Sequence, residues 1–241
     1  GAGRLTIRER IDQVADGGSF REIGTLAGTG DYDDDLQLQK VTPATYVAGT
    51  ARIDGRPVAI GGEDFTVRGG TSFGAQRRKG GQGGYIEDLA HHYKIPLVNL
   101  IDGAGGSVTS AKRRGFVVFP GTDGFERSVE LLGEVPVASA VLGTAAGGPA
   151  GRAILSHFSV MVDGTSQVFA AGPPVVKRSL GQDNTKEDLG GPAVAVNKAG
   201  SIHNLAQSEK DAFAQVKRFL SFMPQNVWQL PPVTPIDDPV D

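Results

Sequence analysis

The sequence predicts an α/β fold with a largely parallel sheet, and three observations carry that reading. From Ile95 onward, short apolar runs alternate with helix-period segments: IPLVNLID at 95–102, GFERSVELLGE at 124–134, VPVASAVLGT at 135–144, GGPAGRAILSH at 147–157 and FSVMVDGT at 158–165. Alternation of this kind builds parallel strand pairs. The strand runs are almost continuously apolar, as strands covered on both faces are. Gly, at 35 of 241 residues, is too scattered for collagen and too mixed with Val, Ile and Leu for a disordered chain, which leaves loops and close backbone approaches as its use.

In chain order, residues 4–16 read as an N-terminal arm helix, with Leu5, Ile11 and Val14 near one face and Asp16-Gly17-Gly18 ending it. DYDDD at 31–35 reads as a solvated acidic loop, since its spacing does not complete an EF-hand. Between Tyr46 and Val67, two β-branched runs flank Asp54-Gly55, the dipeptide of a two-residue hairpin turn. Residues 68–84, RGGTSFGAQRRKGGQGG, are basic, glycine-rich and aperiodic; a loop is expected there, then a short helix over 85–93. In the helix within 124–134, Phe125, Val129 and Leu132 have the spacing of a core-facing stripe. SQVFAAG at 166–172 reads as a strand joined to the preceding one at Gly164, and PPVVKRSL begins a helix at its prolines. Asn184 is the expected cap of a helix in NTKEDLGG, with Gly190-Gly191 as its stop. Residues 207–222, QSEKDAFAQVKRFLSF, form the clearest amphipathic helix: Ala212, Val216, Phe219 and Leu220 are its stripe, and Ser208 with Asp211 stands in capping-box positions. The tail LPPVTPIDDPVD is proline-rich and acidic, a linker composition.

Composition narrows the function classes. A formal net charge of −3 gives no electrostatic reason for a nucleic-acid partner. Without cysteine there is no disulfide, no thiol nucleophile and no Cys-ligated zinc, and a reducing compartment is expected. No apolar run reaches transmembrane length, and the start GAGRLTIRER lacks the apolar core of a signal peptide. His91-His92 has no third ligand at metal spacing, so no metal site is expected. There is no G-x-S-x-G elbow and no Walker A loop, and neither GGTSFG nor GAGGS completes a dinucleotide fingerprint. Glu126 and Glu130 share a helix face but read as solvated surface rather than a hydratase pair.

The chemistry concentrates in two glycine-rich loops, 103–106 and 143–148, which follow successive strands at the position where α/β proteins place ligands. Ala145-Ala146-Gly147-Gly148 leads directly into Pro149 and a helix. A tight turn explains this, and so does a donor cradle: a helix start exposes partnerless N–H groups with a partial positive charge, and small residues let a ligand oxygen reach them. Two such loops on one edge favour the cradle. Arg77, Arg78 and Lys79 are either a solvated charge run or a phosphate contact.

At this point DFTVRGG, LIDGAGG, GTAAGG, FAAGPPVVK and EDLGG, in that order, resemble the carboxyltransferase β subunit of biotin-dependent acyl-CoA carboxylases, the propionyl-CoA and methylcrotonyl-CoA carboxylase type. The resemblance runs from Arg4 to the end of the chain. It implies a crotonase fold, a superhelix of ββα units, and it covers only the N-terminal of the family's two halves. Residues 1–230 are then an acyl-CoA carboxyltransferase domain, and 231–241 a linker toward a C-terminal half. The resemblance implies that Gly147 and Gly148 stabilise a thioester enolate through backbone N–H groups. It places Gly105 and Gly106, with Ala146, Gly69 and Gly70, around the substrate, and Arg77, Arg78 and Lys79 near the CoA phosphates. The family's D-S-G-G-A loop here reads Asp102-Gly103-Ala104-Gly105-Gly106-Ser107, one residue longer, and GPAGRA replaces an aromatic-containing run, which points to a different acyl pocket. The implied cofactor is biotin on a partner carrier domain, with acyl-CoA as substrate, no metal and no side-chain base. Implied partners are a biotin carboxylase or carrier subunit, the C-terminal half and further copies in an oligomer, with no nucleic acid and no direct membrane contact, in the cytoplasm or a mitochondrial matrix. A biotin-dependent decarboxylase and a non-catalytic acyl-CoA-binding subunit share these motifs.

Overall fold

The computed structural model describes residues 4–71, 84–106 and 123–233. Arg77, Arg78 and Lys79, and residues 234–241 of the expected linker, lie outside the described residues.

Ile7, Arg10, Ile11 and Val14 are spaced three or four apart, which puts them on one helical face. Helix α1 (Ile7–Val14) buries all four, and a complete capping box of Thr6 and Glu9 starts it. The arm helix thus begins later than expected, and its buried face contains an arginine. Asp16, just past its end, accepts hydrogen bonds from Asp54 N–H (2.9 Å) and Gly55 N–H (2.8 Å). The Gly55 bond is the main cause of the lowered Asp16 pKa. These bonds hold the expected hairpin turn between β4 (Tyr46–Ile53) and β5 (Arg56–Glu63), whose two turn residues both have positive φ, +49° at Asp54 and +78° at Gly55.

After β5, α2 (Tyr85–Tyr93) leads to β6 (Leu97–Gly103), α3 (Asp123–Leu132) to β7 (Val137–Ala146), and α4 (Gly148–Ile154) to β8 (Phe158–Val162). Strands β5, β6, β7 and β8 pair in parallel in that order, as the alternating pattern predicts. At one side β4 pairs antiparallel with β5 and with the short β1 (Arg21–Glu22); at the other, β10 (Asn204–Ala206) pairs parallel with β8. The short β9 (Gln167–Phe169) runs parallel to the end of β7. The chain continues through α5 (Pro173–Leu180), α6 (Lys186–Gly190), a π-helical turn over Ala193–Lys198 and α7 (Glu209–Phe222).

The sheet is covered on both faces. On one, Val98, Leu100, Ala140 and Leu142 meet Ile11 and Val14 of α1 and Phe213, Val216 and Leu220 of α7. On the other, Leu97 and Val137 meet Ile86 and Leu89 of α2 and Leu131 of α3, while Ile101 and Val141 meet Ala150 and Ala153 of α4. Double coverage is the physical reason the strand sequences are apolar at nearly every position.

Four local expectations are corrected. The DYDDD segment is not all loop: Asp31 and Tyr32 end β2 (Gly28–Tyr32), which pairs with β3 (Leu38–Pro43) as a separate two-stranded ribbon. Every β2 residue is exposed, so no apolar alternation announces the strand. In α3 the inward residue is Leu131, fully buried, while Val129 is 56% exposed. Ser128 also turns inward, donating to the buried Glu87 carboxylate at 2.8 Å, and this polar contact sets the helix phase away from the apolar count. Finally, Thr185 rather than Asn184 caps α6, in a reciprocal capping box with Asp188. Ser208 caps α7 as expected, but its partner carboxylate Asp211 accepts from Gln207 N–H instead of closing a full box.

Leu131→Ala is expected to lower unfolding free energy by about 2–5 kcal/mol, and Val129→Ala by less than about 0.5 kcal/mol, in urea titrations. Equal losses would mean that the helix phase described above is wrong.

Candidate functional site

Strands β6 and β7 are parallel neighbours, and near their C-terminal ends Gly103 pairs with Ala145. The loops that follow them therefore leave the same edge of the sheet, and the backbone of one presses on the other. Gly105 has φ +72°, and a side chain there would overlap the Ala146 carbonyl. A third segment joins them. The 3₁₀ turn Arg68–Gly70 is tied to the first loop by a hydrogen bond from Ala104 N–H to Gly69 O at 3.1 Å. Gly70 has φ +64°, and a Cβ on it would stand 2.9 Å from both Asp102 O and Glu63 Cβ. Gly69, Gly70, Gly105 and Ala146 are thus brought together, while a Cβ on Gly106 would meet no described residue within 4 Å.

Gly147 turns the chain from β7 into α4 with φ +64° and ψ −120°, a conformation open in practice only to glycine. Its N–H donates to Phe169 O at 3.1 Å, extending the β7–β9 pairing. At the start of α4 the backbone N–H groups of Gly148 and Ala150 make no hydrogen bond to a described residue, and Pro149 between them has no N–H. Of the two glycines singled out in the sequence, Gly148 holds the unengaged donor.

Beneath this surface lies a set of buried charges that the sequence reading missed. Asp102, the penultimate residue of β6, is 1% exposed. Its Oδ2 accepts from Arg4 and from Arg10 Nη1, the latter at 2.9 Å, and its Oδ1 lies where a Gly143 side chain would be. Arg10 also reaches Glu209 at the start of α7, with Nη2 at 2.5 Å and Nε at 3.1 Å. Burial alone would lower the Arg10 pKa, but the hydrogen bond and charge of Glu209, joined by Asp102, outweigh it and hold the pKa raised. On the α4 side of the sheet, Arg152 is ion-paired with the buried Glu63 and donates to Tyr46 Oη at 3.3 Å. The available sequence signals were Arg10 in the apolar phase of α1 and acidic residues ending two apolar strands. Their pairing had none.

Three of the four histidines have hydrogen-bonding partners among the described residues. His157 accepts from Val137 N–H at 3.1 Å, and its Nε2 lies 3.0 Å from Leu132 O. His203 accepts from Ser159 N–H at 3.1 Å. His91 and Lys94 both meet Glu134, at 2.7 and 2.8 Å, and the Lys94 hydrogen bond is the main reason the Glu134 carboxyl lies below its ordinary 4.5. Among the described residues, no group of three or more His, Cys, Asp or Glu could hold a metal ion, and no helix is long and apolar enough to cross a membrane.

The sequence matches the carboxyl transferase domain family over residues 1–241. The chain belongs to this family. The chain is 35% identical over 238 residues to the propionyl-CoA carboxylase beta chain of Saccharopolyspora erythraea, covering 97% of this chain and 42% of the relative. It is 33% identical to the mitochondrial propionyl-CoA carboxylase beta chain of Homo sapiens, covering 99% of this chain and 44% of that one. It spans less than half the length of these relatives. Among solved structures, transcarboxylase 12S with methylmalonyl-coenzyme A and methylmalonic acid bound superposes with a TM-score of 0.79 at 28% identity, over 98% of this chain and 45% of that one. The beta subunit of P. aeruginosa geranyl-CoA carboxylase shares the fold, at TM-score 0.71, 24% identity and 92% of this chain against 40% of that one. The fold is crotonase-like, as the resemblance implied.

Arg10→Met leaves the Asp102 and Glu209 carboxylates without their shared cation, and is expected to cost about 3–5 kcal/mol of stability by chemical denaturation. Because the Glu134 carboxyl is lowered in the folded chain, it stabilises the fold above the ordinary glutamate range, and this contribution fades as pH falls through the lowered value. Glu134→Gln is therefore expected to reduce stability at neutral pH and to flatten its decline below about pH 4.5. An unchanged acid slope would mean that the Glu134 cluster does not form in solution.

Proposed function

We propose that this chain is the acyl-CoA-binding half of an acyl-CoA carboxyltransferase, with residues 1–230 as its domain and 231–241 as the linker toward a C-terminal half. One observation carries the reading: glycine loops from adjacent parallel strands meet at an edge where the Gly148 N–H has no acceptor among the described residues. A thioester oxygen is the acceptor this geometry suits. It is small, it gains negative charge when the α-proton leaves, and a fixed N–H aimed at it strengthens as that charge develops. Gly147 aims the donor through its positive-φ turn, and its own N–H holds the turn to β9. Gly105, Gly106, Gly69 and Gly70 line the approach with backbone alone, and Ala146 adds only a methyl group. Arg77, Arg78 and Lys79 take the CoA phosphates.

Carboxybiotin, carried by a partner, would release CO2 by cleavage of its N–carboxyl bond, and the ureido nitrogen so freed would take the acyl α-proton. The α C–H bond breaks, the enolate forms against the Gly148 donor, and its α-carbon bonds to CO2. The residues around the glycine loops fit this division of labour: Asp102 and Glu63, the buried carboxylates nearest the loops, are engaged by arginines rather than free to act as bases. The C-terminal half, within an oligomer, completes the biotin side of the site. The relatives support this arrangement, since they are more than twice as long and the transcarboxylase 12S structure is described as a hexamer. The cytoplasm, or a mitochondrial matrix, suits a chain of this kind.

A second reading, a non-catalytic acyl-CoA-binding subunit, is favoured by the engagement of the Gly147 N–H with Phe169 O, which leaves Gly148 without its neighbour as a second donor.

Carboxyl transfer from methylmalonyl-CoA to a soluble biotin derivative separates the two. Transfer is expected only when the chain is combined with a matching C-terminal half. Gly148→Pro, which deletes the N–H, should then reduce kcat by about 100- to 1000-fold with acyl-CoA binding retained. Intact acyl-CoA binding with no transfer in either condition would establish the binding-subunit reading instead.

A further inference from the structure

We propose that the Glu63–Arg152 ion pair is the positioning device that holds the three glycine segments, 68–70, 103–106 and 147–148, in one register. The proposal rests on the reading that these segments form the acyl-CoA site, and adds which side chains set their spacing. Glu63 is the last residue of β5 and bears on all three. A Cβ on Gly103 would stand 2.5 Å from Glu63 Cγ, and one on Gly70 would stand 2.9 Å from Glu63 Cβ, so both backbones rest directly on this side chain. Glu63 Oε2 accepts from the N–H of Asp102, the residue before Gly103, at 3.4 Å. Glu63 Oε1 accepts from Arg152 Nη2. Arg152 stands four residues after Gly148 on α4, about one helical turn along. A displacement of Glu63 therefore reaches two segments by contact and the third through Arg152.

The guanidinium is itself confined. Arg152 is 2% exposed, lies 5.4 Å from the centroid of the Tyr46 ring and donates to its hydroxyl at 3.3 Å. Tyr46 pairs with Glu63 across the β4–β5 hairpin, so both anchors of Arg152 sit at the same level of the sheet. The Arg152 carbonyl accepts from Ser139 Oγ of β7 at 3.3 Å, which ties the same turn of α4 to the strand that leads into Gly147. Neutralising either member of a buried pair strands the other, so the segments cannot keep their spacing by relaxing around one charge.

The test is amide hydrogen exchange on the ligand-free 241-residue chain, compared with Glu63→Gln, Arg152→Met and Arg152→Lys. Three hydrogen-bonded amides report the three segments: Gly70 N–H on Val67 O, Ala104 N–H on Gly69 O, and Gly147 N–H on Phe169 O. Glu63→Gln and Arg152→Met are each expected to speed exchange at all three by about tenfold or more, while the centres of β6 and β7 keep their protection. Arg152→Lys keeps a cation for Glu63 and is expected to stay close to the parent chain. Acceleration confined to the segment nearest the substitution, or equal acceleration at the strand centres, overturns the proposal: the first is a local effect and the second a general loss of stability. If Arg152→Met fails to fold, Glu63→Gln, which preserves side-chain size, decides alone. Carboxyl transfer with the C-terminal half is read separately, where kcat should fall about tenfold or more with the acyl-CoA KM held within about threefold. Absence of transfer by the parent counts against the functional reading, and the exchange comparison still decides the positioning role.

Discussion

A carboxylate sealed from water needs cations within reach, and the Asp102 side chain imposes that demand on the rest of the chain. It lies near the end of a central strand, where the backbone is about to become the first glycine loop. Satisfying it requires α1 to lie across this end of the sheet so that Arg10 can reach over. Arg10 in turn is buried enough to need a second anion, which the start of α7 supplies as Glu209. One charge near a strand end thereby sets the placement of the helices at both ends of the described chain. The apolar cluster of Ile11, Val14, Phe213, Val216 and Leu220 supplies most of the favourable burial, and the ion pairs select which arrangement of those helices is allowed.

The glycine loops are the complement of that constraint. Buried charges and their arginines occupy the volume beneath the strand ends, so the segments above approach one another with backbone alone. Gly143 lies where a side chain would collide with Asp102 and Arg4, Gly103 against Glu63, and Gly105 against the Ala146 carbonyl. The resulting surface offers peptide groups rather than side chains. This suits recognition of a small, charge-gathering oxygen, because backbone dipoles are already oriented and need no reorganisation during a reaction. The match to transcarboxylase 12S over nearly all of this chain places the same architecture in a protein whose structure holds methylmalonyl-coenzyme A.

The apolar faces of α1, α7 and α2 and the parallel order β5 to β8 follow from patterns readable in the chain, because burial on two faces leaves an unambiguous apolar record. Where a polar contact sets the geometry, that record misleads. Val129 has the spacing of a core residue yet faces outward, because Ser128 is held by Glu87. The β2–β3 ribbon left no record, since it buries almost nothing. The glycine loops stood out through their composition and position after successive strands, and the structure brings them to one edge of the sheet. The choice of Gly148 over Gly147 as the unengaged donor was not legible, because it depends on Phe169 arriving beside Gly147 from a strand about twenty residues later.

The sequence by itself determined the fold class, the hairpin at Asp54-Gly55, the amphipathic α7 and the family resemblance, and it singled out two glycine loops after successive strands. Each is a local pattern or an ordered set of local patterns, and local patterns are written in contiguous residues. Only the tertiary structure decided which charges meet: Arg10 with Asp102 and Glu209, Arg152 with Glu63. Those partners are separated by 89 to 199 positions in the chain. No spacing rule links residues so far apart, and their meeting is set by how the sheet is ordered and which helix covers which face.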